Sequence, residues 1–365
     1  FGVDVDHDFL PEYVVPEDRR KQVSAIEKAA RGADDVWLAS DLDREGEAIS
    51  WHIHEILREE GLTGRIPFYR VEFSEITEKA ILDAVANPRE LSMDLVNAQQ
   101  ARRALDHLVG FNLSPLLWKK IQTGLSAGRV QSPALRLIVE REREIEAFEA
   151  QEYWTIEADM HHGGMDFLSR LVRLLNERLK QFDINNSKQA NAVRDRLDRA
   201  AAGQLRVDRV NRSQRKRRPS PPFITSTLQQ DAARKLRFSA QRTMRTAQTL
   251  YEGVKIGGVS QGLISYMRTD SVHLSNDALA DLRRQIGTEY GAEYLPGKPN
   301  LYKTKAKNAQ EAHEAIRPTS AALTPEQVKA NLSDDQYRLY DLIWRRAMAS
   351  RPLRAKVTRQ GVSLR

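Results

Sequence analysis

The chain has 365 residues, with 57 Lys and Arg against 50 Asp and Glu, and no cysteine. Disulfides and thiolate metal sites are therefore excluded, no apolar run approaches the roughly 18 residues that span a bilayer, and no His-Glu-x-x-His pattern occurs. The net charge of +7 is uneven: residues 1–60 hold 7 basic and 16 acidic side chains, residues 205–247 hold 12 basic and 2 acidic ones. The basic stretch fits either a polyanion partner or a solvated loop. The opening acids Asp4, Asp6, Asp8 and Glu12 do not read as a signal peptide, so the cytoplasm is the expected compartment.

In chain order, Val23, Ile26 and Ala30 predict a helix over 22–30. Residues 35–40 form a short apolar run that fits a buried strand. Residues 44–60 place Ile49, Ile53, Ile56 and Leu57 on one helical face. A second strand is expected at 66–73, then a helix capped by Ser74 that stops before Pro88. This order predicts a mostly parallel α/β unit up to residue 115. A long helix is expected over 130–147 with Ser126 as its cap. Strand patterns follow at 153–160, and at 167–174 and 178–184 as a hairpin around Leu175, Asn176 and Glu177. A helix at 187–201 and a strand at 205–210 lead into a basic, proline-rich linker at 215–222. Helices are expected again at 226–237, 240–251, 276–286 and 334–350.

The segment DLDREGE carries Asp41, Asp43 and Glu45 between an expected strand and an expected helix. Three carboxylates on one side of such a turn repel one another unless a cation joins them, and hard oxygen ligands suit Mg²⁺. Acids at a helix N-terminus also complement the dipole by about 0.3–1 kcal/mol each. Both readings stand on these residues alone. Ser126, Ala127, Gly128, Arg129, Val130 and Gln131 join a small-residue turn to a helix start, a natural place for a phosphate. A capped helix with an exposed arginine explains them equally well.

DLDREGE resembles the D-x-D-x-E signature of Toprim domains. NAQQARRALDHLVGFNLSPLLWKKI (97–121), LSAGRVQSPALRLIVERERE (125–144), PPFITSTLQQDA (221–232), GLISYMRTDS (262–271) and AQEAHEAIRPT (309–319) resemble the motifs of bacterial type IA DNA topoisomerases, in family order and over nearly the whole chain.

That resemblance implies a multi-domain fold of α/β, α and β parts, with a Toprim (Rossmann-like) domain in a toroidal core. The Toprim domain is expected at 1–115, a helical DNA-binding segment at 116–149 and a β-rich arch at 150–222. A helical gate domain is expected at 223–352 and a return into the arch at 353–365. It implies Tyr266 as the nucleophile of a 5′-phosphotyrosine intermediate, which conserves the phosphodiester energy and needs no ATP. No G-x-x-x-x-G-K-[ST] loop is present, in keeping with this. A lone tyrosine among ten is otherwise more often a packing residue.

By the same resemblance, Arg268 is the phosphate partner of Tyr266, Asp270 orients nearby groups, and His313 contacts the nucleotide or phosphate, with Arg317 a weaker candidate. Asp41, Asp43 and Glu45 hold Mg²⁺. Residues 126–131 contact DNA, as do Phe73, Ser74, Thr77 and Arg268. The expected partners are single-stranded and negatively supercoiled DNA, with no membrane, for a monomer in the nucleoid. A first strand carrying a catalytic glutamate is expected ahead of Phe1, and further arch and DNA-binding parts after Arg365. The competing readings are a decatenating sibling of the same class, which tends to carry proline where Met267 stands, a Toprim nuclease, and a non-catalytic DNA-binding fragment.

Overall fold

The computed structural model describes residues 2–217, 219–302, 314–350 and 355–365, without the side chains of 215–217 and 355–359. The chain forms two compact units. One comprises Phe1–Asn112 and Lys216–Lys356, the other Leu113–Arg215 and Val357–Arg365.

The first unit opens with a short antiparallel pair, β1 (Val3–Asp4) and β2 (Leu10–Pro11). Then come α1 (Arg20–Ala30), β3 (Val36–Leu38), α2 (Arg44–Glu59), β4 (Phe68–Arg70) and α3 (Glu78–Ala86). β3 and β4 run parallel, with Val36 opposite Phe68 and Leu38 opposite Arg70. The expected strand–helix alternation is present, with shorter strands. Ala30, Leu57, Leu62 and Ile66 form a small core, packed by Val36, Ile53 and Phe68.

Two local expectations are corrected here. α3 is capped by Thr77, whose hydroxyl accepts from the Ala80 amide at 3.3 Å. Ser74 instead lies outside the helix, and its carbonyl accepts from the Tyr266 amide at 2.8 Å. No element was expected at α4 (Met93–Lys120), a helix of 28 residues with Pro115 inside it. Its apolar residues do not gather on one face, so periodicity gives no signal there.

α5 (Gln131–Glu146) belongs to the second unit and starts without a side-chain cap, Val130 holding the cap position. Ser126 is thus not a helix cap. β5 (Glu157–His162) and β6 (Met165–Arg170) form an antiparallel hairpin turning at Gly163 and Gly164, both at positive φ, as a tight two-residue turn requires. The turn expected at Leu175 and Asn176 also exists, at φ of 52° and 66°. It joins only β7 (Arg173–Leu174) to β8 (Glu177–Arg178). Phe167, expected in that hairpin, pairs with Met160 in the larger one. α6 (Ser187–Ala201) follows, capped by Asn186. β9 (Val207–Arg217) runs beyond the strand expected at 205–210, so the basic residues from 212 to 217 are strand rather than linker. Among its described side chains, residues 207–214 are exposed.

The first unit resumes with α7 (Thr225–Leu236), α8 (Ala240–Glu252), the hairpin β10 (Val254–Ile256) and β11 (Val259–Gln261), α9 (Asn276–Glu289), α10 (Pro325–Val328) and α11 (Asp334–Ala349). β12 (Ala355–Leu364) pairs with β9. Ser239, Ser275 and Ser333 cap α8, α9 and α11 through their hydroxyls. Phe223, Leu250, Leu263, Ile264, Tyr340 and Ile343 head the large core of this helical part. Leu42, from the loop between β3 and α2, and Tyr266 belong to the same core.

Candidate active site

The loop after β3 carries the acidic motif, and its shape follows from three residues. Asp43 caps α2, its Oδ1 accepting from the Gly46 amide at 2.9 Å. Gly46 packs on the loop so closely that a Cβ there would stand 2.0 Å from the Asp41 carbonyl oxygen. Only glycine permits that approach. Gly46→Ala is expected to push the Asp41 backbone aside and to cost about 1–3 kcal/mol, read by urea unfolding. An unchanged midpoint would mean that the loop yields without strain.

Beneath the loop lies Arg70, with its side chain buried. It donates to the carbonyls of Leu38 at 3.1 Å, and of Ser40, Val71 and Asp41 at 2.7 Å. Its Nε donates to Glu47 Oε2 at 2.9 Å. Glu47 is fully buried. It also receives Arg89 Nη1 at 2.8 Å, Arg89 Nη2 at 2.6 Å and the Ser92 amide at 2.6 Å. Burial opposes its charge, but the bonds from Arg89, Ser92 and Arg70 outweigh it and hold the carboxyl at about 2. A depressed carboxylate contributes stability that is present above the ordinary glutamate range and is lost as pH falls through its folded value. Acid unfolding between about pH 4.5 and 2 is therefore expected to flatten in Glu47→Gln, and a superimposable acid transition would remove Glu47 as its cause.

The tyrosine segment is held from two sides. The Gly262 amide donates to the Ile76 carbonyl at 2.9 Å, and the Tyr266 amide donates to that of Ser74. On the other side Ser265 Oγ donates to the Ala315 carbonyl at 2.7 Å and accepts from the Arg317 amide at 3.0 Å. A Cβ on Gly262 would stand 2.5 Å from the Tyr251 carbonyl oxygen, so the segment passes where only glycine fits. The Tyr251 ring meets that of Tyr266 edge-on, with centroids 5.2 Å apart.

This frame brings the Tyr266 hydroxyl to Asp43, to which it donates at 2.7 Å across 223 residues of chain. Burial, then the bond to Asp43 and the charges of Asp43 and Asp41, push the phenol well above its ordinary range, with Arg268 opposing. Burial and Asp43 likewise raise Asp41, while Arg268 lowers it. Arg268 is exposed, and its Nη1 lies 3.7 Å from Asp43 Oδ2.

Asp41, Asp43, Tyr266 and Arg268 are thus gathered in one place. Ser74 and Thr77 lie on the neighbouring segment that bonds the tyrosine strand, with Phe73 just before them. Glu45 is engaged by Gln99 at 3.3 Å and Arg102 at 3.5 Å. Asp270 is exposed. Arg317 is buried against Glu314 and Glu75, with Nη2 2.8 Å from Glu75 Oε2. His313 lies outside the described residues. Residues 126–131 belong to the second unit, where the Ala127 amide donates to Ser114 Oγ at 3.2 Å.

Among the described residues, no three carboxylate or imidazole side chains converge as a ligand set. The mutual crowding of Asp41 and Asp43 is what a divalent cation would relieve, and Mg²⁺ takes one or two carboxylates directly. The donor set fits that ion.

Arg70, Glu47 and Arg89 were not singled out from the sequence. Glu47 reads there as one more letter of an acidic run.

The Toprim domain family matches residues 3–76, and the DNA topoisomerase family matches residues 90–365. The chain belongs to the DNA topoisomerase family. Its fold is a Toprim domain joined to a type IA topoisomerase core. It is 55% identical over 364 residues to DNA topoisomerase 1 of Xylella fastidiosa, covering 100% of this chain and 45% of that protein. It is 54% identical over 346 residues to DNA topoisomerase 1 of Rickettsia prowazekii, covering 94% of this chain and 44% of that protein. Full-length topoisomerase I from Thermotoga maritima matches with a TM-score of 0.82 at 38% identity, over 100% of this chain and 56% of that one. The chain thus spans about half the length of these topoisomerases. The acidic loop lies in the Toprim match and the tyrosine in the topoisomerase match, so the Tyr266–Asp43 bond joins the two.

Proposed function

We propose that this chain supplies the cutting and rejoining centre of a type IA topoisomerase that relaxes negatively supercoiled DNA without ATP. The observation that carries the reading is the 2.7 Å bond from Tyr266 to Asp43. A tyrosine beside an arginine, and next to two carboxylates suited to a divalent cation, is an arrangement fitted to attack on a phosphodiester.

Tyr266 Oη attacks the phosphorus of a single strand, and its proton ends on the departing 3′ oxygen. The tyrosyl–phosphorus bond forms on the 5′ side, and the 3′ oxygen departs, taking up a proton. Attack by that 3′ hydroxyl reverses the step and releases the tyrosine. One phosphodiester is exchanged for another, so no external energy source enters. Arg268, with its planar fork exposed beside Asp43, binds the non-bridging oxygens as their charge grows. Asp41 and Asp43 would hold Mg²⁺, which supplies positive charge next to the phosphate, with Glu45 the third carboxylate of the motif. Asp270 and His313 support the same centre.

Residues 126–131 at the start of α5 contact DNA, as do Phe73, Ser74 and Thr77. The basic strand β9, exposed over residues 207–214, fits non-specific phosphate contact. The protein acts as a monomer in the bacterial nucleoid.

The test is denaturing capture of labelled single-stranded DNA on the full-length protein with Mg²⁺, beside Tyr266→Phe. An adduct on the 5′ phosphate, mapped to Tyr266, supports the reading. Nicked DNA with no adduct points to hydrolysis and overturns it.

A further inference from the structure

We infer that Thr225 is a positioning residue for Arg268, acting through the main chain on either side of it. The inference rests on the proposed role of Tyr266 and Arg268. Thr225 Oγ1 lies 2.8 Å from the Met267 carbonyl oxygen, to which it donates, and 3.1 Å from that of Thr269. The same oxygen accepts from the Thr269 amide at 2.9 Å. The Thr225 amide donates to the Thr269 carbonyl, also at 2.9 Å. One side chain and its own amide therefore grip the residue before Arg268 and the residue after it.

Arg268 needs such a grip more than its neighbours do. Tyr266 and Met267 are buried in the core and are fixed by packing. Arg268 is exposed, its guanidinium 3.7 Å from Asp43, so its own contacts hold it weakly. A long side chain on an unheld loop samples many rotamers, and ordering it costs entropy at the moment of reaction.

Helix capping does not account for the Thr225 hydroxyl. The first turn of α7 is served by Thr227, whose Oγ1 accepts from the Ile224 amide at 3.0 Å. The Thr225 hydroxyl is directed to the loop instead. The methyl group of threonine is not part of the grip, so serine can replace it and valine, of the same shape, cannot.

The experiment compares full-length protein with Thr225→Val, Thr225→Ser and Tyr266→Phe. Single-turnover adduct formation on labelled single-stranded DNA, DNA affinity and the thermal midpoint are measured for each. Thr225→Val is expected to slow adduct formation by about tenfold or more, beyond what its changes in DNA affinity and thermal midpoint account for, and Thr225→Ser is expected to restore the rate. A Thr225→Val rate equal to that of the parent overturns the inference. So does a loss that follows the thermal midpoint, or one that serine does not rescue. Absence of an adduct in the parent, or its persistence in Tyr266→Phe, removes the underlying reading and this one with it.

Discussion

Tyr266→Phe is expected to eliminate the covalent DNA adduct while leaving DNA binding intact. The substitution removes one oxygen and keeps the ring that packs against Tyr251. The hydroxyl donates to Asp43. Loss of that bond changes stability by about 0.5–1.5 kcal/mol, too little to unfold the part that holds it. The neighbouring Tyr251 is not placed to replace it. Tyr251 is buried, its phenol raised first by burial and then by Asp41 and Asp43, and the large core encloses it. Residual adduct in Tyr266→Phe would place the nucleophile elsewhere.

Glu47→Ala is expected to be the most destabilising substitution near the site. The carboxylate is fully buried and neutralises Arg70, whose side chain is also fully buried. Removing it leaves a guanidinium uncompensated, with Glu72 no closer than 3.9 Å. Breaking a buried pair from one side costs about 3–5 kcal/mol. Because Arg70 grips the carbonyls of Leu38, Ser40 and Asp41, the acidic loop should loosen at the same time. Urea unfolding of Glu47→Ala and Glu47→Gln measures this. The amide keeps the shape and part of the hydrogen bonding, so Gln should fall between Ala and the parent. A loss below about 1 kcal/mol for Ala would show that Arg70 finds another partner or water.

Much of the framework was legible because it is local. The helix at α6 was read to its ends, since Asn186 caps it and its apolar spacing is regular. The spans of α2, α8 and α11 were read to within a residue or so for the same reason. The hairpin at Gly163 and Gly164 was missed because Tyr153, Trp154 and Ile156 drew the strand too early, and its sequence offers few apolar residues. The end of β9 reads as linker in the sequence because a run of consecutive basic residues carries no period of 2. For the site, the acidic motif and the tyrosine motif were each visible as strings. Their meeting was not, because 223 residues separate the two ends of one hydrogen bond. The support from Arg70, Glu47 and Arg89 was hidden for the same reason, since long-range ion pairs leave no periodic trace.

Leu42 stands between the two crowded acids, yet it packs in the core of the helical part beside Tyr266. Any motion that withdraws the tyrosine from Asp43 must also draw this side chain into water. Exposing a buried leucine costs about 1.5–3 kcal/mol, enough to make spontaneous separation roughly ten- to a hundredfold rarer. The acids are therefore fastened to the tyrosine by an apolar peg as well as by a hydrogen bond. Salt, which screens charges, would leave that fastening in place.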